Sequence, residues 1–168
     1  RIFVTAGYGG GSMMLRVARD SDGAFRAEAV QTAASDEGLA SEQQTPVLYD
    51  GLLYGVLPKD AGTQRNQLVC VHPDDIGTFL WTSGRTNRFG LGPYLVADEK
   101  LYVLSDEAEL TMARVGAEGY LELDQARILD GHDAWAPMAI TGGWLILRDN
   151  TRMVCVDVRA VSTDSASR

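Results

Sequence analysis

An all-β fold follows from three features of the sequence. Apolar runs are short and separated by frequent turns, no long stretch shows the 3.6-residue period of an amphipathic helix, and one unit recurs about every 45 residues. The unit is seen in Pro46-Val47-Leu48-Tyr49-Asp50-Gly51-Leu52-Leu53-Tyr54-Gly55-Val56. It returns as Pro93-Tyr94-Leu95-Val96-Ala97-Asp98-Glu99-Lys100-Leu101-Tyr102-Val103-Leu104 and as Pro137-Met138-Ala139-Ile140-Thr141-Gly142-Gly143-Trp144-Leu145-Ile146-Leu147. The prolines are 47 and 44 residues apart. Each unit reads as a strand, a tight Asp- or Gly-containing turn and a second strand, which is a hairpin. Proline fits the first residue of an opening strand, where its missing N–H costs least.

Third strands are expected over residues 67–71, 110–115 and 152–158, and fourth strands over 78–82 and 120–128. The N-terminal piece fits the same scheme without its opening strand, with strands near residues 2–5, 12–17 and 25–30. Segments 105–110 and 121–129 could be taken for helices, but their register with the repeat argues for strands. Four strands every 45 residues or so is the spacing of propeller blades. A single four-stranded sheet has two faces to cover and covers them by stacking on its neighbours. The expected architecture is therefore a β-propeller of four-stranded antiparallel blades, here a fragment of about three and a half. Residues 1–31 form a partial blade, 46–82 and 93–128 full blades, and 137–159 a second partial blade, all in one propeller domain with flanking blades absent. Arg1 opens directly onto Ile2-Phe3-Val4, so the chain is expected to begin inside a strand. A β-sandwich is the weaker alternative, since it does not require three equivalent units.

The stretch Gln67-Leu68-Val69-Cys70-Val71-His72-Pro73-Asp74-Asp75-Ile76-Gly77-Thr78-Phe79-Leu80-Trp81 resembles the repeat of the PQQ-like, or quinoprotein-like, β-propeller family. Trp81 stands where that repeat carries its docking tryptophan, and Val156-Asp157-Val158-Arg159 looks like the start of the same turn. Gly119-Tyr120-Leu121 and Gly23-Ala24-Phe25 depart from the tryptophan pattern. The resemblance runs from Ile2 to Arg159 and is nearest to exported bacterial members, some of which are scaffolds that bind partner proteins. It implies a periplasmic, secreted or outer-membrane-associated protein.

Composition narrows the function classes. Fifteen Lys and Arg stand against 23 Asp and Glu, a formal charge of -8, and so acidic a chain repels phosphate backbones. No nucleic acid is expected as a partner, and no apolar run reaches membrane-spanning length. The quinoprotein dehydrogenases would need a calcium site, a catalytic Asp and a pair of adjacent cysteines, and this sequence has no adjacent cysteines. Cys70 and Cys155 read as small buried hydrophobes on third strands. Asp20-Ser21-Asp22-Gly23 reads as a solvated turn rather than a calcium loop. Gly7-Tyr8-Gly9-Gly10-Gly11-Ser12 lacks the lysine and helix of a phosphate loop. No serine or cysteine pairs with His132-Asp133 as a nucleophile, and His72 reads as a surface turn residue. No cofactor and no metal are expected.

Propeller topology would gather the blade-joining loops on one face, together with the loops between second and third strands. Arg85, Arg88, Phe89, His132, Asp133 and Trp135 are the binding candidates there. Arginine brings a fixed fork of donors and tryptophan a flat stacking surface. The favoured reading is a non-enzymatic binding or scaffold domain that takes a partner protein or a small polar or carbohydrate ligand on that face, alongside the remaining blades of the same chain. The alternatives are a fragment of a PQQ-dependent oxidoreductase with its cofactor elsewhere, and a carbohydrate-active enzyme with a funnel site.

Overall fold

The computed structural model describes residues 1–159. Among these residues, fourteen strands form four small antiparallel sheets, each made of consecutive strands. The first sheet holds β1 (Ile2–Ala6), β2 (Gly11–Arg19) and β3 (Phe25–Ala33). The second holds β4 (Val47–Tyr49), β5 (Leu52–Val56), β6 (Leu68–His72) and β7 (Asp75–Thr82). The third holds β8 (Tyr94–Ala97), β9 (Lys100–Leu104), β10 (Glu109–Arg114) and β11 (Glu122–Arg127). The fourth holds β12 (Ala139–Thr141), β13 (Trp144–Arg148) and β14 (Met153–Asp157).

Local chemistry accounts for the hairpins. β4–β5, β8–β9 and β12–β13 are each joined by two residues of positive φ: Asp50 and Gly51 (47° and 75°), Asp98 and Glu99 (49° and 57°), and Gly142 and Gly143 (54° and 81°). Two left-handed residues give the turn whose twist matches the right-handed twist of the flanking strands. The β2–β3 turn closes around Asp20-Ser21-Asp22-Gly23, with the Asp20 N–H donating to the Ala24 carbonyl at 2.8 Å.

Consecutive sheets pack face to face. Met14 and Phe3 of the first sheet meet Leu53, Val69 and Val71 of the second. Tyr54, Val56, Leu68, Cys70 and Trp81 of the second meet Leu101, Val103 and Ala113 of the third. Tyr102, Leu104 and Leu110 of the third meet Leu145 and Leu147 of the fourth. Alternation along each strand sends successive side chains to opposite faces, so the two middle sheets bury both of theirs. Within the stack, β3 lies beside β7 and β4 beside β8.

The expected propeller is not what these sheets form. They are four separate small sheets, none closed or curled into a blade arrangement, and among the described residues no core cluster joins the fourth to the first. The all-β class stands, but the β-propeller fragment of three and a half blades does not. A local repeat dictates which strands pair within a sheet, and it does not dictate how successive sheets turn about a common axis. The expectation for Cys155 is corrected too. Cys70 is buried between two sheets, whereas Cys155 lies exposed on the outer face of the fourth sheet, which no other sheet covers among the described residues.

Candidate functional site

Hydrogen bonds link the connecting loops in series. The Gly9 N–H donates to Asp60 Oδ2 at 2.5 Å, and Lys59 Nζ lies 3.3 Å from Glu42 Oε1 and 5.1 Å from the centre of the Tyr8 ring. Glu42 occupies the space left by Gly7, where a Cβ would stand 2.4 Å from the Glu42 Cγ. The Phe89 N–H donates to the Asn66 carbonyl at 2.8 Å, and the Asp106 N–H donates to the Phe89 carbonyl at 3.1 Å. Gln44 Nε2 donates to the Trp135 carbonyl at 2.9 Å across 91 residues.

The six sequence candidates divide by what their side chains do. Arg88 spends its guanidinium on backbone carbonyls: Nε on Arg85 at 3.0 Å, one terminal nitrogen on Thr63 at 3.1 Å and the other on Arg65. Phe89 is buried in the core between the second and third sheets. Arg85 is exposed beside them. His132 Nδ1 lies 2.8 Å from Asp133 Oδ2, and Asn150 Nδ2 donates to that same oxygen at 3.4 Å. Trp135 keeps part of its ring in solvent. Among the described residues no hydrogen bond joins the Arg85–Arg88 pair to the His132–Asp133 pair, and no three His, Cys, Asp or Glu side chains converge as metal ligands.

Two organising residues escaped sequence reading. Asp149 is buried and accepts from the N–H groups of Gly131 (3.0 Å), Thr151 (2.7 Å) and Arg152 (2.7 Å) and from the Thr151 hydroxyl (2.9 Å). The Thr151 N–H and the other donors hold its carboxyl below the usual range. Asp106 goes the other way, raised by burial against the lowering effect of the Leu91 N–H.

The outer faces of the end sheets stand apart from these loops. On the first sheet Ile2 pairs with Leu15 and Val4 with Met13, and Val17 continues the same face. Ile2 is 52% exposed, and Val4, Met13 and Val17 are exposed with it. On the fourth sheet Ala139, Ile146 and Cys155 form a cross-strand row, flanked by Trp144 and by Met153, which is 66% exposed. Arg159 covers part of the Trp144 ring, its guanidinium carbon 5.0 Å from the ring centre. Both faces are apolar over several adjacent side chains. A crevice of about 460 Å³ also opens between β1 and β4, lined by Phe3, Val4, Thr5, Pro46, Leu48 and Leu53 among others.

No protein-family profile matches the chain, and no curated protein matches it. Among solved structures it is similar to the quinohemoprotein alcohol dehydrogenase from Comamonas testosteroni, at 15% identity and a TM-score of 0.46. The likeness covers 67% of this chain and 18% of that one. A match so distant and partial carries neither fold nor function across. With the sheets unclosed, the resemblance to the PQQ-like propeller family is corrected: the propeller and quinoprotein descriptions do not hold. The loop-face scaffold, the oxidoreductase fragment and the funnel-site enzyme fall with them, because each required propeller geometry to form its site.

Proposed function

We propose that the chain is a protein-association unit whose two end sheets stack on further β-sheet, the partner in a solution of the pure chain being a second copy. One observation carries this reading: apolar side chains stand exposed in contiguous sets on the outer faces of the first and fourth sheets, while every internal face is covered. Exposed apolar patches rimmed by polar residues mark interaction surfaces.

The three internal interfaces suggest how the copies meet. Each joins the trailing face of one sheet to the leading face of the next. Among the described residues, the uncovered faces are the leading face of the first sheet and the trailing face of the fourth. Placing one on the other repeats the internal relation, giving a heterologous, head-to-tail contact. Stacked sheets pack about 10 Å apart, a distance these medium-sized side chains fill.

Sedimentation velocity over a concentration series reaching the millimolar range tests the reading. Met13 and Ile146 lie at the centres of the two faces. Wild-type chain should associate progressively. Met13→Lys and Ile146→Lys should each be monomeric alone, and their mixture should give a discrete heterodimer, because each retains the face the other lacks. A wild-type monomer throughout would overturn the proposal. Association without heterodimer formation would overturn the head-to-tail geometry.

A further inference from the structure

We infer that Asp50-Gly51, the turn between β4 and β5, is a site of spontaneous isoaspartate formation, singled out by the fold from the Asp–Gly pairs of the sequence. This goes beyond the stacking reading and does not rest on it, since it concerns one turn of the second sheet.

The chemistry is a rearrangement of the main chain. The backbone nitrogen that follows an aspartate attacks Cγ of its protonated carboxyl. The N–Cγ bond forms, and the amide proton leaves with the carboxyl hydroxyl as water, closing a succinimide ring. Water then reopens the ring. Attack at the Cγ carbonyl restores aspartate, and attack at the main-chain carbonyl leaves the chain running through Cβ and Cγ. Glycine in the second position favours ring closure because no Cβ crowds the attacking nitrogen.

Asp–Gly occurs at 22–23, 50–51 and 130–131. Ring closure needs a free N–H on the glycine and a carboxyl free to swing toward it. At the first pair both groups are held: the Gly23 N–H donates to the Asp20 carbonyl at 2.9 Å, and Asp22 Oδ1 accepts from the Ala24 N–H at 3.1 Å. At the last pair both are held again: the Gly131 N–H donates to Asp149 Oδ2 at 3.0 Å, and Asp130 Oδ2 accepts from Arg152 Nη1 at 3.4 Å. At the middle pair, among the described residues, neither the Gly51 N–H nor the Asp50 carboxylate has a hydrogen-bond partner. Both residues are exposed, and a Cβ built on Gly51 would meet no atom within 4 Å.

The equivalent hairpins lack the combination. Asp98 is followed by Glu99, whose side chain crowds the nitrogen, and Lys100 Nζ holds Asp98 Oδ2 at 2.9 Å. Gly142-Gly143 has no carboxyl. The product has a consequence for the fold. Two left-handed residues, Asp50 and Gly51, set Tyr49 opposite Leu52. An isoaspartate adds a backbone carbon to that turn and breaks the match. Tyr49 and Leu52, which pack against the core between the second and third sheets, should loosen.

Ageing the full chain in warm neutral buffer tests this, folded and in denaturant. Peptides containing residues 22, 50 and 130 are then scored for isoaspartate by enzymatic carboxyl methylation and for succinimide by the mass loss of one water. Folded chain should accumulate isoaspartate at 50. Conversion at 22 and 130 should be about tenfold slower or more, because two hydrogen bonds must first be given up at each. In denaturant the three should convert at similar rates, since only the fold distinguishes them. Hydrogen exchange of the aged chain should quicken at Tyr49 and Leu52. No isoaspartate at 50 in folded chain while the denatured chain converts there, or folded conversion at 22 or 130 as fast as at 50, would overturn the assignment.

Discussion

The Tyr54→Phe substitution tests how the second sheet holds the third. The Tyr54 ring is fully buried, and its hydroxyl accepts from the Gly116 N–H at 2.9 Å. Trp81 Nε1 donates to the carbonyl of the same residue at 2.8 Å, and the two rings lie 6.0 Å apart. Gly116 follows β10 of the third sheet, so two side chains of one sheet fix one residue of the next. Phenylalanine keeps the ring and removes the acceptor. A hydrogen bond contributes about 0.5–1.5 kcal/mol net, and a stranded donor costs somewhat more, so the loss should be about 1–2 kcal/mol. For a chain of this size that lowers Tm by about 2–8 °C. Urea unfolding followed by circular dichroism and tryptophan fluorescence should show a lower midpoint at unchanged slope. Trp81→Phe removes the other half of the grip. The double variant should depart from additivity by about 0.5–1 kcal/mol, because either side chain is worth more while the other holds the residue in place. A Tyr54→Phe effect below about 0.5 kcal/mol, within the range of ordinary surface substitutions, would refute this account.

Glu99 occupies a left-handed turn position that Gly51 and Gly143 fill in the equivalent hairpins. Glu99→Gly should therefore stabilise by about 0.5–1 kcal/mol, read as a rise in the urea midpoint. Leu147 is fully buried and its neighbour Ile146 lies on the outer face, so Leu147→Ala should cost about 2–5 kcal/mol and Ile146→Ala much less. Equal costs would mean that the outer face is covered even in the monomer. Burial raises the Tyr54 and Tyr94 phenols to about 12 and the Cys70 thiol to about 11, from ordinary values of 10.0 and 9.0. Raised values favour the protonated, folded state. Stability should be fully present below the unfolded values and fall as pH rises through about 11–12, with tyrosinate absorbance appearing together with unfolding. Tyrosinate formation near the unfolded value in a still-folded chain would contradict the burial.

The hairpins were legible because their causes are local. A proline, three or four apolar residues and Asp50-Gly51 or Gly142-Gly143 are enough to specify a two-residue turn and its strands. The arrangement of sheets was not, because contacts between distant residues decide it. Residue type also misled at the loops. Phe89 lies in a connecting segment, where an aromatic looks available for binding, yet its apolar surface is worth more in the core between sheets. Arg88 carries the donor fork that recognises carboxylates, but backbone carbonyls at Thr63, Arg65 and Arg85 take it first. Cys155 matches Cys70 in the repeat and differs in having no sheet beyond it among the described residues. That the first described sheet would hold three strands could be read from the sequence. The exposure of Leu48 beside an open crevice required the neighbouring sheet to be in place.

Burial along the stack is graded, and this makes stability uneven in a way that bears on the proposed stacking contact. The second and third sheets bury both faces, and residues such as Leu68, Val69, Leu101 and Val103 are fully enclosed. Among the described residues, the first and fourth each bury one face, and β1 and β14 stand at sheet edges. Local opening requires only the contacts of the segment that opens, so amides of β1 and β14 should exchange well before those of β5, β6 and β9. A ligand that binds only the closed form stabilises by an amount that grows with its concentration over Kd. Head-to-tail stacking should therefore slow exchange in the first and fourth sheets together while leaving β9 at the global limit. Uniform exchange across all four sheets would mean that they unfold as one unit, and stacking could then not act by ordering the ends.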